Sequence, residues 1–138
     1  MNNMKVKKIK AIIEKASDGG YGIYLPEISG YVGIGDSEED AKNDLRIAIN
    51  EVVSYCKEQG IKDNIYGGQV EFDYRYDLSG FFKKFDIFNV SSLAKAVGIN
   101  SGLMRQYKTG KTYISYKRKH QIETGIHKLA GSMLNVRF

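Results

Sequence analysis

Cysteine, proline and histidine are scarce in this 138-residue chain, which has one Cys, one Pro and two His residues. The single cysteine, Cys56, excludes an internal disulfide bond and suits a reducing compartment, so we expect a cytoplasmic protein. The histidines, His120 and His127, are too far apart to share a zinc ion, because about 10.5 Å separates them along one predicted helix. No apolar run approaches the ~20 residues that span a bilayer, and no signal-peptide core is present, so we expect no membrane partner.

Carboxylates that could converge on a catalytic metal are also lacking. Two-metal hydrolysis needs several carboxylates around ions ~4 Å apart, whereas the first predicted strand offers only Glu14, near its end. Asp73 and Asp77 share one exposed face of another predicted strand, which is typical of a solvated surface. The glycine pairs at residues 19–20 and 67–68 are predicted turns without the lysine of a phosphate-binding loop. We therefore predict a binding protein, not an enzyme, with no catalytic residue, no metal site and no cofactor.

Charge is abundant but unevenly distributed. Residues 81–138 contain eleven Lys or Arg and two acids, Asp86 and Glu123, a net charge of +9. Residues 1–80 contain ten basic and fourteen acidic residues, a net charge of −4. Because Lys and Arg that neutralise phosphates release condensed counterions, the basic half is suited to nucleic acid. A merely solvated charged face is the alternative interpretation.

Within the basic half, residues 90–107 predict a helix, a tight turn and a second helix. Gly98 can adopt the positive φ of a short turn. Asn100 suits the N-cap of the second helix, with Ser101 as the rival cap. This arrangement is typical of a helix-turn-helix, and two helices of an ordinary bundle are the alternative. The predicted internal positions are Leu93, Ala94, Val97, Ile99, Met104 and Tyr107.

Flanking segments complete the predicted all-α domain. Phe81, Phe85 and Phe88 are spaced i, i+4, i+7, which predicts a short helix before the motif. Gly110 is predicted to end the second helix of the motif, and Ser115 to cap a last helix that runs to about Met133. The residues of this last helix predicted to face inward are Tyr116, Ile122, Ile126 and Leu129.

In its helix count and core spacing, the segment 81–133 resembles the Cro/XRE-type helix-turn-helix family. It departs from that family at Gly102, where a polar base-reading side chain often stands. A helix-turn-helix inserts the outer face of its second helix into the major groove. The residues predicted to contact base edges are Ser101, Arg105 and Gln106, since Arg pairs with guanine and Gln with adenine. The residues predicted to contact the DNA backbone are Lys95, Asn100, Lys108, Lys111 and Thr112.

An oligomer is expected, because a single helix-turn-helix reads few base pairs and paired half-sites supply the missing affinity. Apolar residues alternate with polar ones at Leu134, Val136 and Phe138. This alternation could add a strand across a homodimer or higher oligomer. Packing of these residues on their own chain, or disorder, is the alternative.

The acidic half predicts three strands, a helix and a strand, which make a small α+β sheet domain with one helix packed on it. Asp18-Gly19-Gly20 is a hairpin turn in which the glycines accept positive φ. Ser37 caps the helix and Gly60 ends it. The predicted strands are residues 5–15, 21–25, 31–35 and 69–78. The predicted buried face of the helix is Ala41, Leu45, Ala48, Val52 and Cys56, and that of the last strand is Val70, Phe72, Tyr74, Tyr76 and Leu78.

The segments Asp18-Gly19-Gly20-Tyr21, Pro26, Gly30-Tyr31-Val32 and Gly35-Asp36-Ser37-Glu38-Glu39-Asp40-Ala41 resemble the N-terminal domain of HicB antitoxins. That resemblance covers residues 5 to about 78 and implies a partial ribonuclease H-like fold. It also implies a type II antitoxin, which neutralises HicA, a small basic toxin that cleaves mRNA, and represses its own operon by binding operator DNA.

We accordingly place a HicB-like toxin-binding domain at residues 1–78 and a helix-turn-helix DNA-binding domain at residues 79–138. The expected partners are a HicA-like toxin, double-stranded operator DNA and further copies of this chain. The acidic helix surface matches a basic ribonuclease electrostatically, but no toxin contact is assigned to a single residue; its acids are Glu38, Glu39, Asp44, Glu51 and Glu58. Two alternatives remain: a stand-alone helix-turn-helix regulator with a non-catalytic sensory or oligomerisation sheet domain, and a nucleic-acid hydrolase.

Overall fold

The computed structural model describes residues 6–16 and 18–138 and shows an α+β protein with a four-stranded mixed sheet and five α-helices. Its internal contacts define two compact units, Met1–Phe81 and Phe82–Phe138, which we call the sheet unit and the helical unit. The observed division, after Phe81, lies within helix α2 (Leu78–Lys84). The boundary predicted from the sequence, after residue 78, lies within the same helix. The α+β class predicted from the sequence is confirmed.

The sheet unit has the predicted order of three strands, a helix and a strand. Its strands are β1 (Lys7–Lys15), β2 (Tyr21–Tyr24), β3 (Val32–Gly35) and β4 (Val70–Tyr76). They lie in the order β3-β2-β1-β4, with β4 parallel to β1 and the other neighbours antiparallel. The predicted first residue of β1, Lys5, lies outside the described residues. In the β1–β2 turn Gly19 has a positive φ, 96°, whereas Gly20 does not, so the prediction for Gly20 is wrong.

Helix α1 (Glu38–Gln59) begins and ends where the sequence predicts. The Ser37 hydroxyl accepts a hydrogen bond from the Asp40 N–H at 3.0 Å, and Gly60 adopts φ 66° after the last turn. Its buried residues are Ala41, Leu45, Ile49, Val53 and Cys56. The prediction of Ala48 and Val52 is wrong, since both are half-buried. The residues of α1 that contact the sheet follow an i, i+4 row, and such a row slants across the helix surface. Ile49 and Val53 are therefore buried in place of Ala48 and Val52, which come one position earlier.

Strand β3 lies close against α1 because its glycines carry no side chain toward the helix. A Cβ atom built on Gly33 would lie 2.2 Å from the Ala41 carbonyl oxygen and 2.7 Å from the Leu45 Cβ. Only glycine is compatible with such an approach. The core between sheet and helix includes Ile9, Ala11, Ile13, Ile23, Leu25, Tyr31, Ile65 and Val70.

The last strand is shorter than predicted, and the helix after it begins earlier. Strand β4 ends at Tyr76, and Leu78 is the first residue of α2. The Asp77 carboxylate accepts a hydrogen bond from the Gly80 N–H at 3.0 Å, so Asp77 caps α2 and stops the strand. The predicted face of Phe81, Phe85 and Phe88 is therefore wrong: α2 ends at Lys84, Phe85 lies in a turn, and the buried aromatic residue is Phe82.

The helical unit continues with α3 (Val90–Val97), α4 (Ser101–Thr109) and α5 (Tyr116–Leu134). All six predicted internal positions of α3, the turn and α4 are buried, together with Phe82 and Ile122. Ser115 caps α5 as predicted, with its hydroxyl 3.2 Å from the Arg118 N–H. The prediction that Tyr116 faces the core is wrong, since this residue is 77% exposed. Its ring instead stacks on the ring of His120, one turn further along α5.

Candidate functional site

Helices α3 and α4 are joined by a three-residue turn whose geometry follows from its glycine and its cap. Gly98 has φ 77°, and its N–H donates to the carbonyls of the last turn of α3. The Ile99 N–H donates to the Ala94 carbonyl at 2.8 Å, which completes the helix ending. The Asn100 Oδ1 accepts from the Leu103 N–H at 3.1 Å, so Asn100, and not Ser101, caps α4.

Gly102 has a structural role that the sequence did not reveal. A Cβ atom at this position would lie 3.1 Å from the Asn100 Oδ1, which is tighter than most real contacts. A side chain there would crowd the oxygen that caps α4. The glycine therefore keeps the cap intact, and it also leaves the exposed start of α4 without a side chain at its second residue.

Helix α5 contacts the end of α3 through one side chain and one glycine. The Gln121 Nε2 donates to the Val97 carbonyl at 3.0 Å and to the Gly98 carbonyl at 3.1 Å. A Cβ atom on Gly125 would lie 2.5 Å from the Val97 Cγ1, so the two helices touch at this glycine. Sequence reasoning missed both residues, although a glycine inside a helical pattern is a signal of close approach.

The residues predicted to contact base edges lie together on α4, where Arg105 and Gln106 are exposed and Ser101 is half-buried. The Arg105 Nη2 donates to the Ser91 hydroxyl on α3 at 2.7 Å, so α3 orients the guanidinium. Because the guanidinium carries five N–H donors, others remain for a ligand. The Gln106 Oε1 accepts from the Thr112 hydroxyl at 2.7 Å, which joins a predicted base contact to a predicted backbone contact.

The residues predicted to contact phosphates lie on α3, on α4 and beside the two ends of α4. Lys95, Lys108 and Lys111 are exposed. The Lys108 ammonium lies over the buried Phe82 ring, 5.8 Å from its centre, as in a cation–π contact. Asn100 uses its oxygen for the cap, so only its amide nitrogen could donate to a phosphate.

A second basic cluster lies in the first turns of α5. Lys117, Arg118 and Lys119 are all exposed, and the Arg118 Nη1 donates to the Gln121 Oε1 at 2.9 Å. The partial positive charge of a helix N-terminus disfavours cations. The stability of α5 therefore does not explain the cluster.

The sheet unit presents a different surface. Along the outer side of α1, Glu51 and Glu58 alternate with the exposed apolar residues Ile47 and Tyr55. One predicted acid is already engaged, because the Asp44 Oδ2 accepts from the Ile34 N–H of edge strand β3 at 2.8 Å. This bond removes a donor that an added strand would need.

One carboxylate of the sheet unit has a shifted acidity. Asp63 precedes the short 3-10 turn Tyr66–Gly68, and its Oδ1 accepts from the Gly67 N–H at 2.9 Å and the Ile65 N–H at 2.8 Å. These hydrogen bonds favour the ionised form and hold the pKa of Asp63 below its usual range. Among residues 6–16 and 18–138, no three His, Cys, Asp or Glu side chains are grouped as a metal site.

Comparison with known proteins gives one partial similarity. The chain is 48% identical over 46 residues to a UPF0150 protein from Synechocystis sp., a match that covers 33% of this chain and 64% of that protein. The chain thus spans less than two thirds of the length of the relative it matches. No protein-family model and no solved structure matches this chain. In the part of the chain that the structure describes, no helix combines the length and apolarity needed to cross a bilayer.

Proposed function

We propose that this chain is the antitoxin of a HicA/HicB-type system in the cytoplasm. In this proposal the sheet unit binds and neutralises a small basic toxin that cleaves mRNA. The helical unit binds operator DNA as a dimer and represses the operon of both proteins. The chain itself performs no catalysis in either role.

The observation that carries the proposal is the surface of α4. The core of the helical unit buries Leu93, Ala94 and Val97 of α3 and Met104 and Tyr107 of α4, and both ends of α4 are capped. Its outward side presents Arg105, Gln106 and Lys108, while the Lys117–Lys119 cluster adds three cations. A short capped helix with a polar, basic outer face is suited to the major groove.

Two observations support the toxin-binding half of the proposal. The first is the partial match to a UPF0150 protein, taken together with the resemblance of residues 5 to about 78 to the N-terminal domain of HicB antitoxins. The acidic half of the chain, with a net charge of −4, is complementary to a basic ribonuclease.

Co-expression and DNA binding test the two halves separately. We expect a basic protein of roughly 60 residues from the adjacent reading frame to copurify with this chain. The purified chain should bind its own operator at least ~10³-fold more tightly than a scrambled duplex at the same salt concentration. If operator binding is observed but no such protein is captured, the stand-alone regulator becomes the better description.

A further inference from the structure

The loop before α5 and the first turns of that helix carry exposed aromatic rings. Tyr113, in the loop, is 87% exposed, and Tyr116, the first residue of α5, is 77% exposed. The His120 ring lies parallel to the Tyr116 ring, with 10° between the two planes and 6.4 Å between the ring centres. Tyrosine rings stabilise a protein most where a core or an interface buries them. The core of the helical unit therefore does not account for these rings.

The same segment carries cations and no acid. Lys117, Arg118 and Lys119 follow Tyr116 directly, and all three are exposed. Residues 87–122 contain no Asp or Glu, and the basic segment ends at Glu123. The first turn of α5 thus has no acidic side chain that offsets its positive charge. A segment that alternates aromatic rings with cations is suited to a ligand that is both planar and anionic.

We propose that residues 113–120 bind single-stranded nucleic acid. The rings of Tyr113 and Tyr116 stack on unpaired bases, and the cations of residues 117–119 contact the phosphates. Proteins that hold single strands combine these two features, which are cations along the backbone and aromatic rings under the bases. The strand can be DNA or RNA, because both present base faces and phosphates.

The exposed rings favour a single strand over a duplex. In a duplex the bases stack on one another and present only their edges in the grooves, so a tyrosine ring finds no base face to contact. Lysine and arginine contact the phosphates of either form. The cations alone therefore fit both ligands, whereas the rings select the unpaired one. Binding at residues 113–120 does not require the duplex contacts proposed for α4.

Fluorescence anisotropy of the full chain with a labelled oligothymidylate of about 12 nucleotides tests this site. Tyr113→Ala and Tyr116→Ala should each raise the dissociation constant about 5- to 100-fold, because each removes a stacking ring. The Tyr113→Phe and Tyr116→Phe variants keep the ring and should retain the affinity. Tyr55→Ala removes an exposed tyrosine from the sheet unit and should leave the constant unchanged. An oligouridylate of the same length shows whether DNA or RNA is preferred.

The dependence of binding on salt tests the cations separately from the rings. Each phosphate contact on a single strand contributes about 0.7 to the slope of log K against log salt concentration. Lys117→Ala combined with Lys119→Ala should therefore reduce the slope by about 1.4. The tyrosine substitutions should leave the slope unchanged, because a stacked ring releases no counterion.

A duplex of the same length distinguishes the two possible ligands. Tyr113→Ala and Tyr116→Ala should not change the affinity for the duplex, and circular dichroism establishes that each variant is folded. The proposal would be overturned if neither oligonucleotide bound, if the alanine variants bound the single strand as tightly as wild type, or if they weakened single strand and duplex equally. Failure to bind operator DNA, with oligothymidylate binding intact, would contradict the proposed function and leave this site in place.

Discussion

At the scale of single residues, the side chains of the candidate DNA-binding surface are oriented by their neighbours. Ser91 accepts a hydrogen bond from Arg105, and Thr112 donates one to Gln106. Since each of these bonds fixes one end of a long side chain, less conformational entropy is lost when DNA binds. Ser91 and Thr112 are therefore expected to support base recognition without touching a base.

Replacement of Arg105 separates base recognition from phosphate contact. Arg105→Ala should weaken operator binding by about 1–3 kcal/mol and relax the preference at one base pair, because a guanidinium pairs with a guanine edge. Lys111→Ala is the matched variant, since Lys111 is exposed just after α4. It should weaken operator and scrambled duplex alike and reduce the salt slope by about one. Fluorescence anisotropy in salt titrations measures both effects.

Equal weakening of both duplexes by Arg105→Ala would make Arg105 a phosphate contact. The outer face of α4 would then not be the surface that reads sequence. Neither substitution should alter toxin neutralisation, because Arg105 and Lys111 both lie in the helical unit.

Asp63 makes the stability of the sheet unit depend on pH. Its pKa is lowered in the folded chain, so the ionised carboxylate stabilises the fold above its ordinary pKa, about 3.9. That contribution is lost as the pH falls through the lower pKa of the folded state. Asp63→Ala should lower the unfolding midpoint at pH 7, and the difference from wild type should shrink as the pH falls through the lowered pKa of Asp63. The exposed Asp86→Ala controls for the loss of one carboxylate, and a difference that stays constant with pH would contradict this prediction.

At the scale of secondary structure, one glycine determines how closely α5 approaches α3. Gly125→Ala should destabilise the protein by about 1–3 kcal/mol, because the new methyl group would lie 2.5 Å from the Val97 Cγ1. Gly131→Ala, on the same helix, has no atom within 4 Å of the new methyl group. That control should stabilise the protein by about 0.5–1 kcal/mol. Urea unfolding measures both, and similar effects of the two substitutions would refute the close contact.

Most of these elements could be predicted from local signals, whereas their contacts could not. Ser37, Asn100 and Gly110 mark helix ends because caps depend on the residues beside them. Ile49 is buried in place of Ala48 because the contacting row of α1 slants across the sheet. The 3.6-residue period of a helix gives no information about that slant. Helix α2 begins early because the Asp77 carboxylate caps it, and this hydrogen bond competes with continuation of β4. The clamp by Gln121 joins residues 24 positions apart, so no short sequence window reveals it.

At the scale of the whole molecule, the division of charge coincides with the division of structure. The sheet unit contains every residue of the core around α1 and β1–β4, and the helical unit has its own buried residues in α3, α4 and α5. Each unit therefore has a core that could support folding by itself. We therefore expect the acidic unit and the basic unit to bind partners of opposite charge.

This division predicts that toxin binding survives removal of the helical unit. Residues 1–81 keep the complete core of the sheet unit and the acidic outer side of α1, including Glu51 and Glu58. A pull-down should therefore capture the cognate toxin with this fragment about as well as with the full chain. Residues 82–138 are the matched control and should capture none, because like charges repel a basic toxin. Circular dichroism first establishes that each fragment is folded. Capture by the full chain and not by a folded 1–81 fragment would show that toxin binding requires the helical unit, and the assignment of separate partners to the two units would then be wrong.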